Sequence, residues 1–233
     1  TYLFLYEMFG FFWIVAFVIA VQLFVTCCAT CLWYFGGHGS DQGEGDKPHG
    51  VMISVKWAFR FHLGSLAWGS FIIAVVTMIR VVFEYCVYQY EKMNGENIIF
   101  KIVTCCIRCY LKCLDCCVKF MNKNAYIQIA LHNSSFCLAA RESFWIMAGN
   151  ARRFTAVGIT GSILTFLGKG VITMASVFLT VVIIQEGFED DIKQPAIPAV
   201  IVALFAYMIS SVFLSVYDFS ALTILHCFCL DES

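Results

Sequence analysis

Six cysteines crowd between positions 105 and 117: Cys105, Cys106, Cys109, Cys113, Cys116 and Cys117. They include two C-x-x-C units, Cys106/Cys109 and Cys113/Cys116, the spacing from which thiolate metal sites are built. A zinc ribbon, however, needs a long excursion between its pairs so that four thiolates can converge on one ion. Only three residues intervene here, and a continuous helix strings the thiols along about three turns. Packing of small apolar side chains therefore outweighs a metal site, and no metal or other cofactor is expected. Juxtamembrane cysteines beside basic residues also suit reversible S-palmitoylation, for which Cys105, Cys106, Cys116 and Cys117 are the candidates. Cys27, Cys28 and Cys31 sit in an apolar run and read as packing residues.

A second kind of chemistry could come from charges set within apolar stretches, because such charges are costly in lipid and tend to line a bundle interior or a water path. Glu7, Lys169 and Asp218 are of this kind. Arg80 and Glu84 are four residues apart, close enough to form an ion pair along one helix face. Asn133-Ser134-Ser135 fits the N-glycosylation pattern, which has meaning only outside the cytosol. His38, His49, His62, His132 and His226 are scattered. No G-x-S-x-G, H-E-x-x-H, P-loop or dinucleotide fingerprint occurs, so no enzyme is expected. Asp218, Lys169 and His226 are the only polar residues from which a catalytic cluster could be assembled.

The elements that must position these residues are long and apolar. Hydrophobic residues make up 61% of the 233, and charged residues 13%. Soluble domains carry about 45–50% and about 25%. Runs of ~20 apolar residues span a bilayer, and inside lipid they must be helices. Four such spans are expected at about 3–34, 61–83, 155–184 and 196–225. Gly64, Gly69, Gly158, Gly161, Gly168 and Gly170 would let helices approach closely. A glycine-rich polar connection covers 36–50 and an acidic one 185–195. Segment 84–154 holds Lys92, Lys101, Arg108, Lys112, Lys119, Lys123, Arg141, Arg152 and Arg153, which the positive-inside rule places in the cytosol. Within it the cysteines form one stripe of an amphipathic interfacial helix, with Arg108, Lys112, Asp115 and Lys119 opposite. A second helix at 135–148 lies at the interface or dips in as a re-entrant element. The net charge of −1 gives no reason to expect nucleic acid. Thr1 opens almost directly into an apolar run with no initiator methionine, and a fragment of a longer protein is expected.

Several strings resemble the choline transporter-like family. Phe61-His62-Leu63-Gly64-Ser65-Leu66-Ala67-Trp68-Gly69-Ser70 is close to its F/Y-H-L-G-S-L-A-F-G-S signature, and Ile79-Arg80-Val81-Val82-Phe83-Glu84-Tyr85 continues it. Lys119-Phe120-Met121-Asn122-Lys123-Asn124-Ala125-Tyr126-Ile127 is similar to K-F-L-N-R-N-A-Y-I. Phe136-Cys137-Leu138-Ala139-Ala140 and Phe166-Leu167-Gly168-Lys169 follow in order. Asp218 to Cys227, then Asp231-Glu232, match the family's C-terminal pattern more loosely. Trp68 stands where the family has phenylalanine.

The resemblance implies that residues 1–233 are the C-terminal part of a transmembrane transporter domain of roughly ten spans, with the N-terminal half of the same protein as partner. It implies transport of choline or a related amine such as ethanolamine by alternating access. The alternative is a non-transporting structural or lipid-binding subunit of a larger membrane complex. The plasma membrane is the implied location, and an organellar membrane the alternative. A quaternary ammonium has no donor to offer and is held by aromatic faces and a nearby carboxylate. The candidates for substrate binding are Trp13, Trp68 and Tyr85 as aromatic walls and Glu84 as the carboxylate.

Overall fold

The computed structural model describes residues 2–37, 50–94, 98–187 and 196–232. Among these every regular element is helical: α1 (Tyr2–Gly37), α2 (Gly50–Phe61), α3 (Leu63–Asn94), α4 (Ile98–His132), α5 (Phe136–Gly149), α6 (Ala151–Gly187) and α7 (Ala196–Asp231). His38, His49, the other residues of 38–49 and the acidic residues Glu189, Asp190 and Asp191 lie outside the described residues.

Among the described residues four helices are long and apolar enough to cross a membrane: Leu3–Gly36, Leu63–Met93, Ala151–Glu186 and Ala196–Asp231. These are the four expected spans, extended at their ends. The second one begins later than expected, because the chain bends at His62 and Phe61 closes the separate helix α2. At 1.5 Å per residue a 36-residue helix is about 54 Å long, so α1 and α7 tilt or project beyond the ~30 Å hydrocarbon layer.

The chain divides into two compact units, one ending at Gly149 and the other beginning at Asn150. In the first, α3 runs antiparallel to α1: Phe71 meets Phe9, the Trp13 indole donates to the Ala67 carbonyl (3.3 Å), and His62 lies against Phe24. Helix α4 is antiparallel to α3 in turn. Tyr90 stacks on Phe100, Glu84 meets Arg108, Arg80 meets Asp115, and the Gly69 carbonyl accepts from Asn122.

The cysteine-rich first half of α4 is open, whereas Asn122 and Asn124 to Ile129 are buried against α1 and α3. Asn133 then adopts φ 52°, a left-handed conformation that asparagine tolerates at a helix C-terminus, and the chain reverses into α5. Phe136 returns to Tyr126, and both rings close over Gly69. A Cβ at Gly69 would lie 2.4 Å from Tyr126 Oη and 2.7 Å from Phe136 Cε2, so only glycine fits where α3, α4 and α5 meet.

The second unit is the antiparallel pair α6/α7. Arg153 pairs with Glu232, Phe154 meets His226, and Gly161 and Gly168 receive Asp218 and Leu214. Away from that seam the large apolar side chains are exposed, among them Phe166, Phe178, Phe205 and Phe213. Water would not tolerate so much bare hydrocarbon on a folded protein, whereas lipid or other helices cover it.

Candidate functional site

Helix α1 carries two adjoining strips with different chemistry. Phe9 and Trp13, four residues apart, share one face. Their rings meet Phe71 of α3 edge-on, at 5.8 and 5.6 Å between centroids. Trp68 stacks on the same Phe71 at 5.8 Å with the planes 16° apart. Trp13 is 38% and Trp68 52% exposed, so the cluster presents open aromatic surface. The structure thus brings Trp13 and Trp68 together through Phe71. Sequence reasoning missed Phe9 and Phe71, which only the α1/α3 register places there.

Glu84 and Tyr85 lie elsewhere. They follow Trp68 by sixteen and seventeen residues on a continuous helix, about 24 Å along α3. The Tyr85 hydroxyl accepts a hydrogen bond from Gln89 (2.9 Å). Both Glu84 carboxylate oxygens are engaged by Arg108 of α4, at 3.0 Å from Nε and 2.9 Å from Nη2. That hydrogen-bonded carboxylate holds the Arg108 guanidinium above its ordinary value. Arg80 pairs with Asp115 at 3.7 Å, and Asp115 also accepts from Lys119 at 2.8 Å. The ion pairs therefore tie α3 to α4 instead of joining Arg80 to Glu84, because α4 offers each a partner of opposite sign from across the interface.

An adjoining strip of α1, which shares Ala16 and Ala20 with the aromatic stripe, lines a cavity of about 300 Å³. Phe12, Val15, Ala16, Ile19, Ala20 and Leu23 form its α1 wall, and Ile73 and Thr77 of α3 a second. The third wall is the one-helix ladder Lys119, Asn122, Lys123 and Tyr126. Asn122 is held by its bond to Gly69, and the buried Tyr126 hydroxyl has no hydrogen-bond partner among the described residues. Lys119, Asn122, Lys123 and Tyr126 drew notice above for charge and family resemblance, and nothing in their spacing announced a cavity.

The cysteines at 105, 106, 109, 113, 116 and 117 are exposed and reduced, as is Cys137, whereas Cys27, Cys28 and Cys31 are buried in packing. Among the described residues no group of three or more His, Cys, Asp or Glu is placed to hold a metal ion. In the second unit Lys169 Nζ sits over the Tyr207 ring at 5.9 Å, Asp218 faces Gly161, and His226 lies against Phe154. These three residues are spread along the α6/α7 seam and do not converge.

A family model described as plasma-membrane choline transporter matches residues 1–233. Choline transporter-like protein 2 of Dictyostelium discoideum is 33% identical over 228 residues, covering 97% of this chain and 35% of its own length. Choline transporter-like protein 5-A of Danio rerio is 34% identical over 228 residues, 95% of this chain and 32% of its own. Choline transporter-like protein 1 of Mus musculus is 30% identical over 238 residues, 99% and 34%. The chain spans about a third of the length of these curated relatives.

Proposed function

This chain belongs to the plasma-membrane choline transporter family, and from that premise we propose that the protein moves choline or a related small amine such as ethanolamine across the membrane by alternating access. It is an integral, multi-pass membrane protein of a transporter family. The observation that carries the reading is the match of the family model along the whole of residues 1–233. We place these residues in the C-terminal part of the transporter domain, with the N-terminal half of the same protein as partner.

The aromatic wall of α1 and α3 supports an amine as cargo. Trp13, Trp68 and Phe71, with Phe9 behind them, offer ring faces to a quaternary ammonium. Each such contact is worth about 0.5–2 kcal/mol depending on how dry it is. Glu84 and Tyr85 are too far along α3 to share that wall. Glu84 serves as an anchor for Arg108 in this reading.

The positive-inside rule puts the N-terminal half of α4 in the cytosol. Its antiparallel course beside α3 then carries the α4/α5 turn to the depth of the outer end of α3. We read α4 and α5 as a re-entrant hairpin whose charges are tolerated because they pair or face a cavity.

The test is uptake of labelled choline into proteoliposomes of the full-length protein, with unlabelled choline and ethanolamine as competitors. Saturable uptake that both competitors suppress supports the reading. Trp13→Ala or Trp68→Ala is expected to raise KM by roughly 2- to 30-fold. No uptake above empty vesicles, from protein shown to be folded, transfers the assignment to a non-transporting structural or lipid-binding subunit.

A further inference from the structure

The cavity between α1, α3 and α4 has the wrong charge for an ammonium substrate. Among the described residues its lining carries Lys119 and Lys123 and no carboxylate, and Asp115 nearby is already shared by Arg80 and Lys119. Lys123 has no carboxylate within salt-bridge reach among the described residues. The remaining lining is largely hydrocarbon. An occupant must therefore bring negative charge and an apolar tail together.

The dimensions narrow the choice. From Phe12 to Leu23 the apolar wall is about 16 Å long, close to half of a ~30 Å hydrocarbon layer and so the depth of one leaflet. Side chains on a helix lean toward its N-terminus, and the Lys119–Asp115 bond shows this lean. The Lys119 ammonium therefore points back along α4, toward its basic first half, and Lys123 follows one turn later on the same face. Lysine stems can lie along apolar walls while the charged heads reach the interface.

We propose that this cavity binds an anionic glycerophospholipid. One acyl chain lies along Phe12, Ala16, Ile19 and Leu23, and the phosphate sits between Lys119 and Lys123. The proposal stands apart from the transport reading, since a lipid site would serve a transporter and a structural subunit equally well.

The experiment is native mass spectrometry of the full-length protein, delipidated in detergent and offered phosphatidylserine or phosphatidylcholine of equal chain length. Each basic side chain beside an anionic lipid strengthens binding roughly fivefold. With Lys119 shared with Asp115, the wild type is expected to prefer phosphatidylserine by between about fivefold and thirtyfold. Lys119→Gln with Lys123→Gln should erase the preference, and the paired change to arginine should keep it. Lys112→Gln, outside the cavity, should leave it intact. Ile19→Trp, at a half-exposed position, should lower retention of both lipids. Equal retention of the two lipids by the wild type overturns the proposal, as does a preference that survives the double glutamine change in folded protein. A full-length structure with another segment of the polypeptide in the groove overturns it as well.

Discussion

Gly69→Ala should destabilise the first unit although alanine is the better helix former. A Cβ at this position meets Tyr126 Oη at 2.4 Å, Phe136 Cε2 at 2.7 Å and Tyr126 Cζ at 3.1 Å. Neither ring can yield easily, since Tyr126 is 1% and Phe136 8% exposed. Forcing a methyl into such a site typically costs about 1–3 kcal/mol. The Gly69 carbonyl also accepts from Asn122 at 2.7 Å, and moving the helices apart to admit the methyl weakens a bond worth about 1 kcal/mol. Helix propensity returns about 1 kcal/mol, which leaves a net loss of about 1–3 kcal/mol.

Gly64→Ala supplies the control, because a Cβ there meets nothing within 4 Å. Only the propensity gain applies. The assay is thermal denaturation of the detergent-solubilised full-length protein, followed by the loss of the monodisperse peak on size exclusion. Gly69→Ala should melt below the wild type, and Gly64→Ala at or above it. Tyr126→Phe removes the nearest clashing atom, and among the described residues its hydroxyl has no hydrogen-bond partner to lose. That change alone should be close to neutral, and in the Gly69→Ala background it should restore part of the loss. If Gly69→Ala proves as stable as Gly64→Ala, the close approach of α3 to the α4/α5 hairpin is refuted.

Three further outcomes test other parts of the structure. Asp115→Asn should destabilise by about 2 kcal/mol, because the 12%-exposed carboxylate then leaves Arg80 and Lys119 facing each other, both of them partly screened by solvent. Adding Lys119→Gln should recover part of that loss in the same melt. Glu84→Gln and Arg108→Gln should each weaken the protein slightly, with the double change no worse than either single one. Neither should move the KM for choline, whereas a KM shift would return Glu84 to the substrate site. Acyl exchange after hydroxylamine should add mass tags to the full-length protein, and serine at Cys105, Cys106, Cys116 and Cys117 together should remove them. Tags that persist in that variant would place the acyl groups elsewhere.

The four spans were legible because length and apolarity alone decide them: no soluble core asks for helices such as Ala196–Asp231. The packing of α4 was not. Arg108, Lys112, Asp115, Lys119 and Lys123 give it the hydropathy of an interfacial helix. Its partners on α3 and the cavity beside it are not written in the local pattern. The same holds for Arg80 and Glu84. Their spacing suggests a pair along one helix, but the antiparallel register of α4 supplies Asp115 and Arg108 instead. Helix α2 went unseen because it is only twelve residues long and no proline marks the bend at His62. Trp13 and Trp68 were chosen by residue type, and only the pairing of α1 with α3 sets both against Phe71.

If both proposed sites exist, electrostatics gives adjoining strips of α1 different ligands. A bare ammonium placed beside Lys119 and Lys123 would be repelled by both. The aromatic face presents ring quadrupoles and no fixed cation in its contacts with Phe71, so it attracts the same ammonium. A phosphate reverses both signs. Phe12 and Trp13 are adjacent in sequence, so a single turn of α1 serves both strips. A rotation of α1 against α3 and α4 would alter both at once, which makes the α1 seam the place where lipid occupancy could bias the transport cycle. Coupling of that kind requires the lipid to favour one state of the seam over the other. In that case the Lys119→Gln, Lys123→Gln variant should change the choline KM although neither lysine touches choline.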